Sequence, residues 1–101
     1  MEEIWKYKIN IGEAARFGGY PVPIPVGAIF LSCQPQWGEI VTWWRVDTQV
    51  KMHRIHHFHV FETGQPIYNA EQYLGTVQLK EGDWVLHIYD QLGQVVELKQ
   101  V

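Results

Sequence analysis

A single cysteine, Cys33, is all the thiol the chain contains. No intrachain disulfide is possible, and such usage suits a reducing compartment. Basic runs are missing too. Eight Lys and Arg stand against eleven Asp and Glu, for a net charge of −3, and the nearest cationic pairs are Lys6/Lys8 and Lys51/Arg54. A phosphate-tracking patch needs clustered cations, so nucleic acid is disfavoured as a partner. The longest apolar stretch, "VPIPVGAIFL" at 22–31, is short and broken by prolines, and it does not fit a membrane span. The opening "MEEIWKYK" is acidic, unlike the basic start of a signal peptide. A soluble, cytoplasmic protein without a membrane partner is the expectation. Phosphate-binding loops are absent as well: "FGGYP" lacks both the lysine and the following helix. Ser32 and Cys33 sit inside an apolar stretch with no activating motif beside them. No catalytic residue and no cofactor is assigned on these grounds.

What the chain has in quantity is aromatic. Five Trp, five Tyr and four Phe occur in 101 residues, within a hydrophobic content of 47%. Such side chains suit pleated surfaces and bury large areas. Residues 4–11, "IWKYKINI", alternate apolar and polar, which predicts a half-buried strand. Further strands are predicted at 28–34, 39–47, 54–62, 73–79 and 84–90, with "QLGQ" turning the chain into a last one at 95–101. One helical turn is possible in "EAARF". "PVPIP" carries a proline at every second place, so it must lie at a sheet edge or outside the sheet. A ligand for a proline-reading partner is the other reading of that stretch. The fold class is therefore all-β: one domain over 1–101, an antiparallel β-sandwich or partly open barrel of six to seven short strands. Expected core residues are Tyr7, Ile9, Ile29, Leu31, Val41, Trp43, Phe58, Val60, Val77, Leu79, Leu86 and Ile88.

"HRIHHFHVFETG" packs four histidines into seven positions. Alternate strand residues share a face, so His57 and His59 project together while His56 points the other way with Phe58 and Val60. A His-x-His pair can supply two metal ligands, and His87 and Glu62 are the residues that would complete a cupin-like centre. The spacing departs from that pattern. Two residues separate His59 from Glu62 where a cupin wants three or four, and no proline precedes Gly82 in the later block. Histidine is also an ordinary amphipathic strand residue, so the preferred assignment is no metal, with His57, His59, His87 and Glu62 the set to examine.

Several segments occur in one order: "IWKYKI", "PVGAIFL", "WWRVD", "FHVFETGQPI", "YLGTVQL" and "VLHIYD". Together they resemble a family of small uncharacterised domains carried mostly by tailed bacteriophages and prophages. The resemblance covers 4–90, with 91–101 as a C-terminal strand extension. It falls on Pro25, Gly27, Ala28, Trp43, Val46, Asp47, Phe58, Phe61, Thr63, Gly64, Pro66, Ile67, Tyr73, Gly75, Thr76, Val77, Gln78 and His87. The family often has Gly and His where this chain has Glu62 and Gln65. The resemblance implies an accessory protein in the host cytoplasm that binds a host or phage protein without catalysis, including components of host takeover or defence. A structural or assembly role in the virion is the alternative, and a cupin-like metal enzyme a third.

Two regions carry the binding expectation. The loop "ETGQPIYNAEQ" is long for a hairpin connection, and long loops on small rigid domains often bind. Its candidates are Thr63, Gly64, Gln65, Pro66, Ile67 and Tyr68. Trp43 and Trp44 are adjacent and must face opposite sides of their strand. Trp43 is read as the core anchor. Trp44, with Ile40, Thr42 and Val46, is read as an exposed face contributing to a partner site or a homo-oligomer.

Overall fold

The computed structural model describes residues 1–98. Strands β1 (Glu2–Ile9), β2 (Tyr20–Pro25), β3 (Ile29–Gln36), β4 (Glu39–Asp47), β5 (Met52–Glu62), β6 (Gln72–Leu79) and β7 (Trp84–Glu97) account for most of the chain, with a single turn of helix, α1 (Ile11–Ala14), after β1. They form two antiparallel sheets, one ordered β1-β4-β3 and the other β2-β5-β7-β6. The architecture is a small all-β sandwich, and neither sheet closes into a barrel.

Alternation decides which side chains meet between the sheets. The even positions of β4 point inward: Ile40, Thr42, Trp44 and Val46 are all buried. Trp5 and Tyr7 of β1 stand opposite Trp44 and Thr42 and pack on the same core. From the other sheet come Val22, Ile24, Phe58, Val60, Val77, Leu79, Leu86 and Ile88.

The tryptophan assignment is thus reversed. Trp44 is 3% exposed, and Trp43 is the half-buried residue on the outer face. The interface face proposed on Ile40, Thr42, Trp44 and Val46 is in fact core. Phase alone could not choose between two adjacent tryptophans; the pairing of β4 with Trp5 and Tyr7 does. Ile29 and Leu31, expected inside, are exposed. The register of β3 on β4 shifts between Phe30 and Ser32, which brings Phe30 and Cys33 inward instead. Tyr7 is half-buried against the core, and Val41 is buried on the outer face.

The prolines lie where their chemistry requires. Val26 donates its backbone N–H to Met52 of β5 at 3.0 Å. Even-numbered donors of β2 therefore face β5, and Pro21, Pro23 and Pro25 face outward, so that edge offers no donors.

"QLGQ" is not a turn. β7 runs unbroken through it to Glu97 and pairs with the start of β5 across a register shift. Gly93 marks a bulge: a Cβ there would lie 2.7 Å from His57 Nε2 and 3.1 Å from the Ile55 carbonyl. The expected strand at 95–101 is the tail of β7 as far as Glu97, and 99–101 fall outside the described residues. Among the described residues, no helix is long and apolar enough to cross a membrane.

Candidate functional site: the outer faces of the two sheets

The histidines of β5 are taken up by packing on both sides of their sheet. His56 points inward. Its Nδ1 lies 2.7 Å from Asp90 Oδ2, its ring packs edge-on to Trp44 at 5.0 Å, and both partners of the pair are buried. Asp90 Oδ1 has no hydrogen-bond partner among the described residues. Sequence reasoning missed this pair although a signal was present. His56 is in phase with Phe58 and Val60, and Asp90 with Leu86 and Ile88.

On the outer face, His59 is fully buried, with Nε2 3.0 Å from Gln91 Oε1. Gly19 sits on it at φ +73°, where a Cβ would come within 2.8 Å of the ring. His57 lies under Gly93. His87 is held between two hydroxyls, Thr63 Oγ1 at 2.8 Å from Nε2 and Thr76 Oγ1 at 2.9 Å from Nδ1, and Tyr73 bonds Thr76 in turn. Glu62 reaches the indole N–H of Trp84 at 3.4 Å. Of the four residues named as a metal set, His59, His87 and Glu62 thus have separate hydrogen-bond partners and His57 packs under Gly93. Among the described residues, no three His, Cys, Asp or Glu side chains gather as metal ligands do.

Which threonine hydroxyl donates and which accepts follows the tautomer of the ring. Thr63 beside His87 has the spacing of a nucleophile and its base. The group behind the ring is a threonine hydroxyl, however, and the network is exposed. What it does in the fold is tie the root of the 63–71 loop to β6 and β7.

That loop folds back over the outer face of the four-stranded sheet. Gly64 takes φ +90° in its first turn, and Gln65 Oε1 accepts from the Glu62 backbone N–H. Tyr68 packs edge-on to Phe61 and His59 and stacks on Phe17 at 5.1 Å. Its hydroxyl donates to the Ala15 carbonyl at 3.4 Å. Pro66 and Ile67 remain exposed. Trp44 is not a neighbour of this loop, because it lies between the sheets.

The outer face of the three-stranded sheet has no layer over it among the described residues. Register places Ile4, Arg45 and Ile29 in one row across β1, β4 and β3, and Lys6, Trp43 and Ser32 in the next. Ile4 is 66% exposed, Ile29 53% and Leu31, at the shift in β3, 45%. Arg45 holds Glu2 in a two-pronged ion pair, and that hydrogen bond keeps the Glu2 carboxyl below the usual carboxylate range. Lys8 pairs with Glu39 at 3.2 Å. The face therefore mixes exposed apolar side chains with the Glu2–Arg45 and Lys8–Glu39 ion pairs and with Lys6, which bonds Gln36. Two clefts open at opposite ends of the sandwich. One of about 370 Å³ lies by Asn10, Tyr20 and Gly38, and one of about 830 Å³ by Trp5, Lys51, His53 and Glu97.

Cys33 faces inward beside Gly75, and burial pushes its thiol up to about 11 from an ordinary 9.0. The thiolate is the nucleophile, so native Cys33 should react with iodoacetamide at pH 8 about a hundredfold more slowly than in the unfolded chain. The folded state holds this proton more tightly. Its contribution to stability is present below pH 9 and is lost as pH rises toward 11. Equal alkylation rates in native and urea-unfolded protein would show the thiol to be open.

A family model covers residues 1–98 and bears the description "Domain of unknown function (DUF7352)". The chain belongs to that family. No curated protein and no solved structure matches it. No catalytic family is indicated by these comparisons.

Proposed function

We propose that this domain is a non-catalytic protein-binding module that docks a partner on the outer face of its three-stranded sheet. The observation that carries this reading is the exposed apolar set of Ile4, Ile29 and Leu31 around Trp43 and Arg45, on a sheet face with no layer above it among the described residues. Trp and Arg at the centre of an apolar patch are the residue types that dominate interface energies. The charges of Arg45 and Lys8 are already met by Glu2 and Glu39, which suits a partner recognised by apolar contact rather than by charge. The phage-type resemblance supplies the setting: an accessory protein in the host cytoplasm, with a host or phage protein as partner. On the other sheet's cover, Phe17 and Ile67 are exposed and Tyr68 is half-buried, which makes that side a margin at most.

Trp43→Glu should keep the β-sheet circular dichroism and weaken partner capture from phage-infected host lysate by roughly 30-fold or more, the scale of a hot-spot residue. Ile67→Glu should leave capture unchanged. The reverse result would move the docking surface to the loop. A partner that proves to be a capsid or tail protein, with the domain found in purified virions, would convert the accessory reading into a virion one.

A further inference from the structure

The four sheet edges are not alike. β2 is blocked by its three outward prolines. β3 and β6 run beside one another, with the backbone of Gly75 close to Cys33. β1 differs from all three. It is eight residues long, paired with β4 in continuous register without a bulge, and has no strand on its other side among the described residues. Thr48 donates its backbone N–H to the Met1 carbonyl at 2.9 Å, which fixes the ladder's parity. Odd positions of β1 bond to β4. The N–H and C=O groups of Glu2, Ile4, Lys6 and Lys8 point away from it. Such a row is a template for another strand.

We propose that β1 pairs with β1 of a second copy of this chain, antiparallel and centred on Trp5, so that two three-stranded sheets become one six-stranded sheet. Directly opposed residues share a face, so only registers pairing like parity are open. Centring on Trp5 uses residues 2–8 and sets Glu2 against the partner's Lys8 at both ends of the seam. Ile4 stands opposite the partner's Lys6, and Glu3 opposite the partner's Tyr7. Centring on Lys6 would oppose that lysine to itself, and centring on Ile4 would leave Tyr7 and Lys8 unpaired. In the chosen register the four outward positions form the hydrogen-bonded pairs, giving about eight backbone bonds across the seam. Trp5 then meets its counterpart in a non-hydrogen-bonded pair, the closer of the two types. Trp5 is half-buried and lines the larger cleft, with Val50 and Leu98 among its other lining residues. A two-fold axis through this pair closes the assembly as a dimer. The inference stands apart from the docking reading, since it uses the backbone edge of the sheet and leaves Trp43 free.

Light scattering on the full chain at roughly 0.1 mM should give twice the 11.8 kDa chain mass. Lys6→Pro removes an outward backbone donor and the exposed side-chain bond to Gln36, and takes no donor from the ladder with β4. It should keep the β spectrum and run at the single-chain mass. Trp43→Glu should remain dimeric. In a Cys33→Ser background, Trp5→Cys should oxidise to a covalent dimer, because a non-hydrogen-bonded pair brings Cα atoms to about 4.5 Å; Tyr7→Cys, opposite Glu3, should not. A monomeric wild-type chain overturns the proposal. So does a dimer that survives Lys6→Pro, one lost with Trp43→Glu, or equal cross-linking at positions 5 and 7. If Lys6→Pro fails to fold, the pair of cysteine variants decides alone.

Discussion

Replacing Trp44 with Ala is expected to cost about 3–5 kcal/mol, the range for deleting a large buried aromatic. That is a large share of the stability of a domain this size. Trp44 sits at the centre of the inner face of its sheet, in contact with Phe30, His56 and Phe58. Its indole N–H donates to Thr42 Oγ1 at 2.8 Å, and that hydroxyl donates to the Tyr7 carbonyl. The deletion therefore opens a cavity and leaves Thr42 with one bond fewer. Trp43→Ala, on the outer face, should cost about 1 kcal/mol or less. Urea unfolding of the two variants measures the contrast. Equal losses would mean that the two faces of β4 are packed alike.

The second large effect is at His56 and Asp90. Asp90→Leu should destabilise by about 3 kcal/mol or more, because it leaves His56 Nδ1 buried against an alkyl group. The double change His56→Leu with Asp90→Leu should recover most of that loss, since apolar replacement of a whole buried polar pair is often neutral. Trp44 is coupled to this pair through the ring of His56. The Trp44 and Asp90 losses should therefore not add, and a double-mutant cycle reads the difference. Additive losses at the two sites, or a double Leu variant no better than Asp90→Leu, would show that the pair is not a unit.

These two sites also show where the sequence was legible. The β-sandwich was readable because alternation, turn glycines and aromatic content agree over nearly every segment. The edge position of "PVPIP" followed from the missing donors of three prolines. The core phase of β5, β6 and β7 followed from Phe58, Val60, Val77, Leu79, Leu86 and Ile88. The candidate site was less legible. Residues 63–68 do form a surface loop, but Tyr68 is turned back onto Phe61 and His59, and Thr63 onto His87. The exposed row on the other sheet went unseen because Ile29 and Leu31 look like core until a register shift turns them out.

By itself, then, the sequence determined the period of each strand, the blocked edge, the small helical content and the need for glycine where the chain turns or bulges. These are local properties, set by how one residue's backbone and its immediate neighbours can sit. Tertiary structure alone decided which tryptophan is core, which histidine finds a carboxylate, and which face of the smaller sheet stays open. Each of those depends on the partner strand's register, and a shift of one residue exchanges every inward side chain for an outward one. Alternation along a single strand carries two equivalent faces, and only the second sheet, by burying one of them, makes them different.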